Sequence, residues 1–295
     1  MNAATAHEKM TAAEPPLLRV RNLVAGYPKQ AGIFGGTKIV PAIHDINVEI
    51  GRGETLAFVG ESGSGKSTTG RAVLRLLPVA SGSIEFEGQD ITHWGKRTPL
   101  EYRKDVQAIF QDPSASLNPR HLISHSIELP LRRHGMTSKK EIRRKLEWAM
   151  DMVGLQRDHL NRFPNELSGG QQQRVAIARA LVLDPKLVVC DEAVSALDLS
   201  TQGQIINLLA DLQEETGASY LFIAHDLGLV RHIADRVGVM NQGRLVELGE
   251  TEQIFSNPQD DYTKRLLKAT PASTPLGRDA RRAERQRARL DLAAA

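Results

Sequence analysis

The chain has 295 residues, 41% of them hydrophobic and 25% charged, which is enough apolar material for one large packed domain or two modest ones. A formal net charge of +3 is too small to argue for a nucleic-acid partner, and no apolar run reaches the roughly 20 residues that span a bilayer. The single cysteine, Cys190, excludes an intramolecular disulfide and any cysteine-based metal or iron–sulfur site.

Residues 1–16 read as a loose, Ala-rich leader without the apolar stretch of a secretory signal, which predicts a protein retained in the cytoplasm. The segment 29–38 contains glycines and reads as a loop. Ile46 to Ile50 alternates apolar and polar residues as a half-buried strand does. Thr55 to Val59 is an apolar run that reads as a buried strand. It leads into Gly60-Glu61-Ser62-Gly63-Ser64-Gly65-Lys66-Ser67-Thr68, which fits G-x-x-x-x-G-K-[ST], and then into a helical pattern over Thr69 to Leu77. Glycines let the backbone curl so that successive N–H groups point at a phosphate, and the following helix adds its positive end. Lys66 can reach β- and γ-phosphates, and the Ser67 hydroxyl can ligate Mg²⁺. A merely flexible Gly/Ser turn needs neither Lys-Ser at that offset nor a strand before it and a helix after it.

Ser81-Gly82 reads as a turn, followed by a short strand over Ser83 to Phe86; Val106 to Phe110 reads as another. The character then changes. Residues 124–165 hold no strong strand, and Ile142, Leu146, Met150 and Val153 fall at helical spacing, so this stretch reads as a helical insertion. A helix pattern over 171–183 stops at Asp184-Pro185. Leu187 to Cys190 and Tyr220 to Ala224 are short apolar runs typical of covered parallel strands, with a helix pattern at about 200–216 between them. This alternation predicts an α/β fold with a parallel sheet. Gly277 to Ala295 carries six arginines and no strand signal, and reads as a solvated tail.

The 187–190 strand ends in Asp191-Glu192. Beside a phosphate loop, the first carboxylate is placed to organise Mg²⁺ and the second to polarise an attacking water. Taken alone the pair would be two solvated acids. Leu167-Ser168-Gly169-Gly170-Gln171 opens a helix and is a second ready-made anion site, with no lysine of its own. Two phosphate-binding loops in one chain make sense if the second closes on a nucleotide held by another subunit.

The Leu167–Gln171 pentapeptide, its Gln172-Gln173-Arg174 continuation and the strand ending Asp191-Glu192 resemble the ATP-binding subunits of ABC transporters. The resemblance covers about residues 17–270. It implies a parallel-sheet P-loop ATPase core, an N-terminal antiparallel β subdomain and an inserted helical subdomain near 112–167. The ATPase domain would run over 17–255, with a C-terminal helical extension at 256–276 and the Arg-rich tail at 277–295. Tyr27 resembles the aromatic that stacks on adenine; on its own it would read as a core tyrosine near a strand end. Gln111 resembles the glutamine that senses the γ-phosphate and Mg²⁺, where an isolated Gln before Asp-Pro would be a turn. Asp198 resembles the family's dimer-interface loop, although alone it would be an ordinary helix cap. His225 resembles the switch histidine at the γ-phosphate, where a lone histidine would more often be structural.

The resemblance further implies ATP and Mg²⁺ as ligands and a head-to-tail dimer. In it Lys66 and Ser67 of one subunit hold a nucleotide covered by Ser168 and Gly170 of the other. Implied partners are integral-membrane permease subunits, a second ATPase subunit and, indirectly, an external solute-binding protein, with no nucleic acid. The expected place is the cytoplasmic face of the cell (inner) membrane. Phe110 to Arg120, Gly70 to Leu76 and Asn257-Pro258 with Tyr262 to Leu267 are similar to the peptide/nickel importers. Many relatives there carry a Cys-rich segment after the last helix; here an Arg-rich tail replaces it. A non-transport ATPase acting on ribosomes or DNA would share the nucleotide motifs, but such relatives usually double the ATPase unit or interrupt it with coiled coils. A soluble kinase leaves the Ser168 loop unexplained, and exporter ATPases are usually fused to membrane segments.

Overall fold

The computed structural model describes residues 15–30, 37–94 and 97–269. The Arg-rich tail, most of the leader and the middle of the 29–38 segment lie outside the described residues. In chain order the elements are β1 (Leu18–Gln30), β2 (Thr37–Ile50), β3 (Thr55–Val59), α1 (Lys66–Val73), β4 (Val79–Phe86), β5 (Gln89–Asp90), α2 (Leu100–Asp105) and β6 (Val106–Phe110). Then follow α3 (Pro113–Ser116), α4 (Ile123–Arg133), α5 (Lys139–Met152), α6 (Gly169–Leu181), β7 (Leu187–Asp191) and α7 (Leu199–Thr216). The described chain closes with β8 (Ser219–Ile223), α8 (Leu227–Ile233), β9 (Arg236–Asn241), β10 (Arg244–Glu250), α9 (Thr251–Ser256) and α10 (Asp261–Ala269).

Two sheets form. One is antiparallel, in the order β2-β1-β4-β5; the other runs β10-β9-β3-β8-β7-β6 and is parallel except for the β9–β10 pair. The central strands β3, β7 and β8 are buried throughout, as parallel strands covered on both faces must be. Their side chains alternate between two cores. Leu56, Phe58, Leu187, Val189, Leu221 and Ile223 pack toward the antiparallel sheet and α1. Ala57, Val59, Val188, Cys190, Tyr220 and Phe222 pack toward the helices on the other side. Burying a side chain the size of Phe58 or Leu56 stabilises by about 1.5–3 kcal/mol each.

The register aligns the strand ends. Phe110 pairs with Asp191, Asp191 with Ile223, and Ala224 N–H donates to Phe58 O at 3.1 Å. Chain leaving β3, β6, β7 and β8 therefore emerges on one edge, at Gly60, Gln111, Glu192 and His225. Ligands of open α/β sheets bind at the carboxyl ends of the strands. Between 113 and 167 the described residues carry helices and no strands. In α5, Ile142, Leu146 and Met150 are buried as their spacing predicts, and Val153 caps the end.

The structure corrects four local expectations. Ser81-Gly82 is not a turn but lies inside β4, opposite an irregular stretch of β1. There Gly82 takes φ 86°, and a Cβ on it would stand 2.3 Å from Asn22 O. The 29–38 segment is not all loop: Lys29 pairs with Lys38 and Gln30 with Thr37, so the strands extend into it. The first helix starts at Lys66 rather than Thr69 and ends at Val73, because Gly65 at φ 105° caps it and Arg75 turns out at φ 59°. The helix expected over 171–183 spans Gly169–Leu181, since Ser168 caps it and Asp184 takes φ 54°.

Candidate functional site

The phosphate loop links β3 to α1. Gly60, Gly63 and Gly65 have φ of 144°, 79° and 105°, conformations that favour glycine. A Cβ on Gly60 would stand 2.1 Å from Met240 O, so the loop start is packed against β9. Ser64 O accepts from Gly243 N–H at 2.9 Å, in the β9–β10 turn. Lys66 is the first residue of α1 and is buried. Its Nζ donates to Gly60 O at 2.8 Å, Glu61 O at 2.9 Å and Ser64 Oγ at 3.4 Å. Burial pushes the Lys66 ammonium below its usual range, and the nearby Glu192 and Asp191 carboxylates oppose that shift.

Ser67 Oγ donates to Asp191 Oδ1 at 2.6 Å. Arg71, one helical turn after Ser67, places Nε 4.0 Å from Asp191 Oδ2, and its Nη1 donates to Tyr27 Oη at 3.3 Å. Tyr27 is 43% exposed, so it is not built into the core. Glu192 sits at φ 52°, a costly conformation for a non-glycine residue. It is held there by Glu192 N–H to Ile223 O at 3.0 Å and by Ser195, whose N–H and Oγ donate to Glu192 O at 3.1 and 3.0 Å. Gln111 and His225 are exposed just past β6 and β8.

Three of these features fit a nucleotide with Mg²⁺. The loop has left-handed glycines, Lys66 is a buried cation bound to neutral oxygens, and a hydroxyl and a carboxylate converge at Ser67 and Asp191. Lys66, Ser67, Thr68, Asp191, Glu192, Gln111 and His225 lie on α1 and at or just past the neighbouring strand ends of the parallel sheet, while Tyr27 comes from β1 of the antiparallel sheet and joins them through Arg71.

The second loop is built differently. Ser168 caps α6 in a reciprocal capping box: Gln171 N–H donates to Ser168 Oγ at 3.3 Å, and Ser168 N–H donates to Gln171 Oε1 at 2.9 Å. Ser168 and Gly169 are exposed. A Cβ on Gly170 would stand 2.7 Å from Thr201 Cγ2, so the loop is packed on the start of α7. Asp198 caps α7 by accepting from Thr201 N–H at 3.0 Å, Thr201 Oγ1 at 2.7 Å and Ser200 Oγ at 2.9 Å. Those bonds, Thr201 foremost, hold its carboxyl down at about 2.

Sequence reasoning missed Arg71, Gly243 and Tyr262, whose hydroxyl accepts from Glu61 N–H at 3.2 Å. The spacing of Ser67 and Arg71 on one helix face was a usable signal. For Tyr262 the sequence marked only the segment it sits in, because its partner Glu61 lies 201 residues away.

A phosphate loop between a central parallel strand and its helix, with a strand-end carboxylate on the loop serine, defines a P-loop nucleotide-binding fold. The chain belongs to the ABC transporter family, whose pattern matches residues 43–195. It is 51% identical over 263 residues to the glutathione import ATP-binding protein GsiA of Salmonella typhimurium. It is 50% identical over 261 residues to the Escherichia coli protein of that name. Each alignment covers 88% of this chain and 42% of the relative, so the chain spans less than half the length of these relatives. Among solved structures, cbiO1 from Clostridium perfringens, part of the ABC transporter complex cbiONQ, is similar with TM-score 0.72 and 29% identity, over 83% of this chain and 92% of that one. An ATP-binding cassette solved as a dimer in a post-hydrolysis state with ADP and Pi is similar with TM-score 0.69 and 30% identity, over 79% and 98%. Among the described residues no helix is long and apolar enough to cross a membrane.

Proposed function

We propose that the chain is the ATP-hydrolysing motor of a membrane importer for peptides or similar small solutes, working as a head-to-tail ATPase dimer on separate permease subunits. The observation that carries the reading is the convergence of Lys66, Ser67, Asp191 and Glu192 at one edge of the parallel sheet. The names of the glutathione import relatives support the cargo class. Residues 17–255 form the ATPase domain, with the helical subdomain near 112–167 and an extension from 256.

In this reading Lys66 and the loop amides from Gly60 to Thr68, Ser62 and Ser64 included, stabilise phosphate charge. Tyr27 stacks on the purine. Ser67, Asp191 and Gln111 would hold Mg²⁺, which would supply positive charge against the phosphates. Glu192 accepts the proton of the attacking water, and its constrained backbone aims the carboxylate. His225 and Asp198 keep the closed geometry. Ser168, Gly169, Gly170 and Gln171 of a second subunit cover the γ-phosphate with a helix N-terminus. Ser168 follows directly on the helical subdomain, so a permease that moves the subdomain moves Ser168 and opens or closes the site; closure is the mechanical step. An external binding protein would deliver solute from the other side of the inner membrane.

Affinity purification from native membranes tests this reading. Integral-membrane subunits and ATP-stimulated transport are expected. Recovery with ribosomes or DNA instead would overturn it.

A further inference from the structure

The C-terminal helix reaches the phosphate loop through one hydroxyl. Glu61 N–H donates to Tyr262 Oη at 3.2 Å. That N–H belongs to the peptide unit whose carbonyl is Gly60 O, and Gly60 O accepts from Lys66 Nζ at 2.8 Å. A peptide unit is planar, so the partner on its N–H sets the direction of its carbonyl. Tyr262 and Lys66 thus grip opposite sides of one plane.

The tyrosine itself is firmly mounted. The Glu247 carboxylate on β10 accepts from Gln259 N–H at 2.7 Å and Asp260 N–H at 3.1 Å. Asp260 Oδ1 then accepts from Tyr262 N–H at 2.7 Å and Thr263 N–H at 3.4 Å, starting α10. Thr263 is buried, and Tyr262, Leu266 and Leu267 pack on the core beneath the parallel sheet. Two carboxylates and an apolar face therefore deliver the hydroxyl to the loop.

We propose that Tyr262 is a positioning residue for nucleotide binding: by fixing the Gly60–Glu61 peptide it pre-sets the oxygen that orients Lys66. The inference rests on the nucleotide reading above. Pre-organisation acts on binding more than on the chemical step, so the hydroxyl should affect ATP affinity and leave the rate from the filled site nearly alone.

The test uses the full chain and Mg-ATP. Tyr262→Phe keeps the ring and its packing and removes only the acceptor. Its Kd and KM for Mg-ATP should rise about threefold to tenfold, as expected for one neutral hydrogen bond. Its kcat should change by less than about twofold, and its Tm without nucleotide should stay close to that of the wild type. Tyr262→Ala should lower Tm as well. Amide hydrogen exchange gives a reading independent of any variant: the wild-type Glu61 amide should be protected, and in Tyr262→Phe it should exchange faster. Wild-type affinity in Tyr262→Phe, with loss confined to Tyr262→Ala, would make the ring a packing element and overturn the proposal. So would an unprotected Glu61 amide in the wild type. Absence of Mg-ATP binding by the wild type would instead sink the nucleotide reading, and this inference with it.

Discussion

Ser67 Oγ donates to Asp191 Oδ1 at 2.6 Å across 124 residues of sequence. The bond joins the phosphate loop to the end of β7, and Arg71 completes a turn of α1 that faces the same carboxylate from its other oxygen. The Arg71 guanidinium continues to the Tyr27 hydroxyl. The residues assigned to purine, metal and phosphate are thus mechanically continuous through α1.

Glu192→Gln should bind Mg-ATP with near wild-type affinity and lose turnover by about 10²–10⁴-fold, the usual worth of a positioned general base. The amide keeps the shape and cannot take the proton. Single-turnover hydrolysis is the measurement, and near-normal rates would remove Glu192 from that role.

Lys66→Ala should weaken ATP binding by about tenfold to 100-fold, since it removes charge-assisted hydrogen bonds to phosphate. Calorimetry checks this. Unchanged affinity would place the main phosphate site elsewhere than residues 60–68.

Tyr27→Ala should cost about 1–2 kcal/mol of binding for ATP and for other purine nucleotides alike, by analogy with stacking of bases on aromatic side chains. Tyr27→Phe should be nearly neutral, because the hydroxyl makes an exposed bond to Arg71 and the stacking face is kept. Equal losses for Phe and Ala would assign the effect to the Arg71 contact.

Ser168→Arg should leave ATP binding by an isolated subunit intact and abolish hydrolysis in the closed dimer. Ser168 also caps α6, so the substitution should cost about 1 kcal/mol of stability as well. Ser168→Asn keeps a capping acceptor, and its Tm separates the two effects. Loss of ATP affinity in a folded Ser168→Arg monomer would count against the head-to-tail arrangement.

Asp198 should titrate with a midpoint of about 2, followed by the carboxyl chemical shift. Its folded-state value lies below the unfolded one of roughly 3.9. The contribution of this cap is therefore complete above the unfolded value and is lost as pH falls toward about 2. In Asp198→Asn that acid-side loss should be smaller. A midpoint near the ordinary carboxylate value would mean that the Ser200 and Thr201 bonds do not persist in solution.

The sequence by itself determined the features whose physics is local. Thr55 to Val59 and Val106 to Phe110 read as strands and are strands, because each is a five-residue stretch rich in β-branched and aromatic residues and too short for a helix. The phosphate loop was legible because its glycines, lysine and serine are contiguous. The helix carrying Ile142, Leu146 and Met150 declared itself by their spacing. What only the tertiary structure decided lies between residues distant in the chain. Ser81-Gly82 has turn chemistry, yet pairing with β1 draws it into a strand as an irregularity. Arg71 gains its role from Tyr27 and Asp191, which reach it from two different sheets. Tyr262 meets Glu61 only because Glu247 and Asp260 anchor the start of α10. Periodicity encodes which face of an element is buried; it carries no record of which distant hydroxyl, carbonyl or guanidinium will stand within 3.3 Å once the strand ends are brought into register.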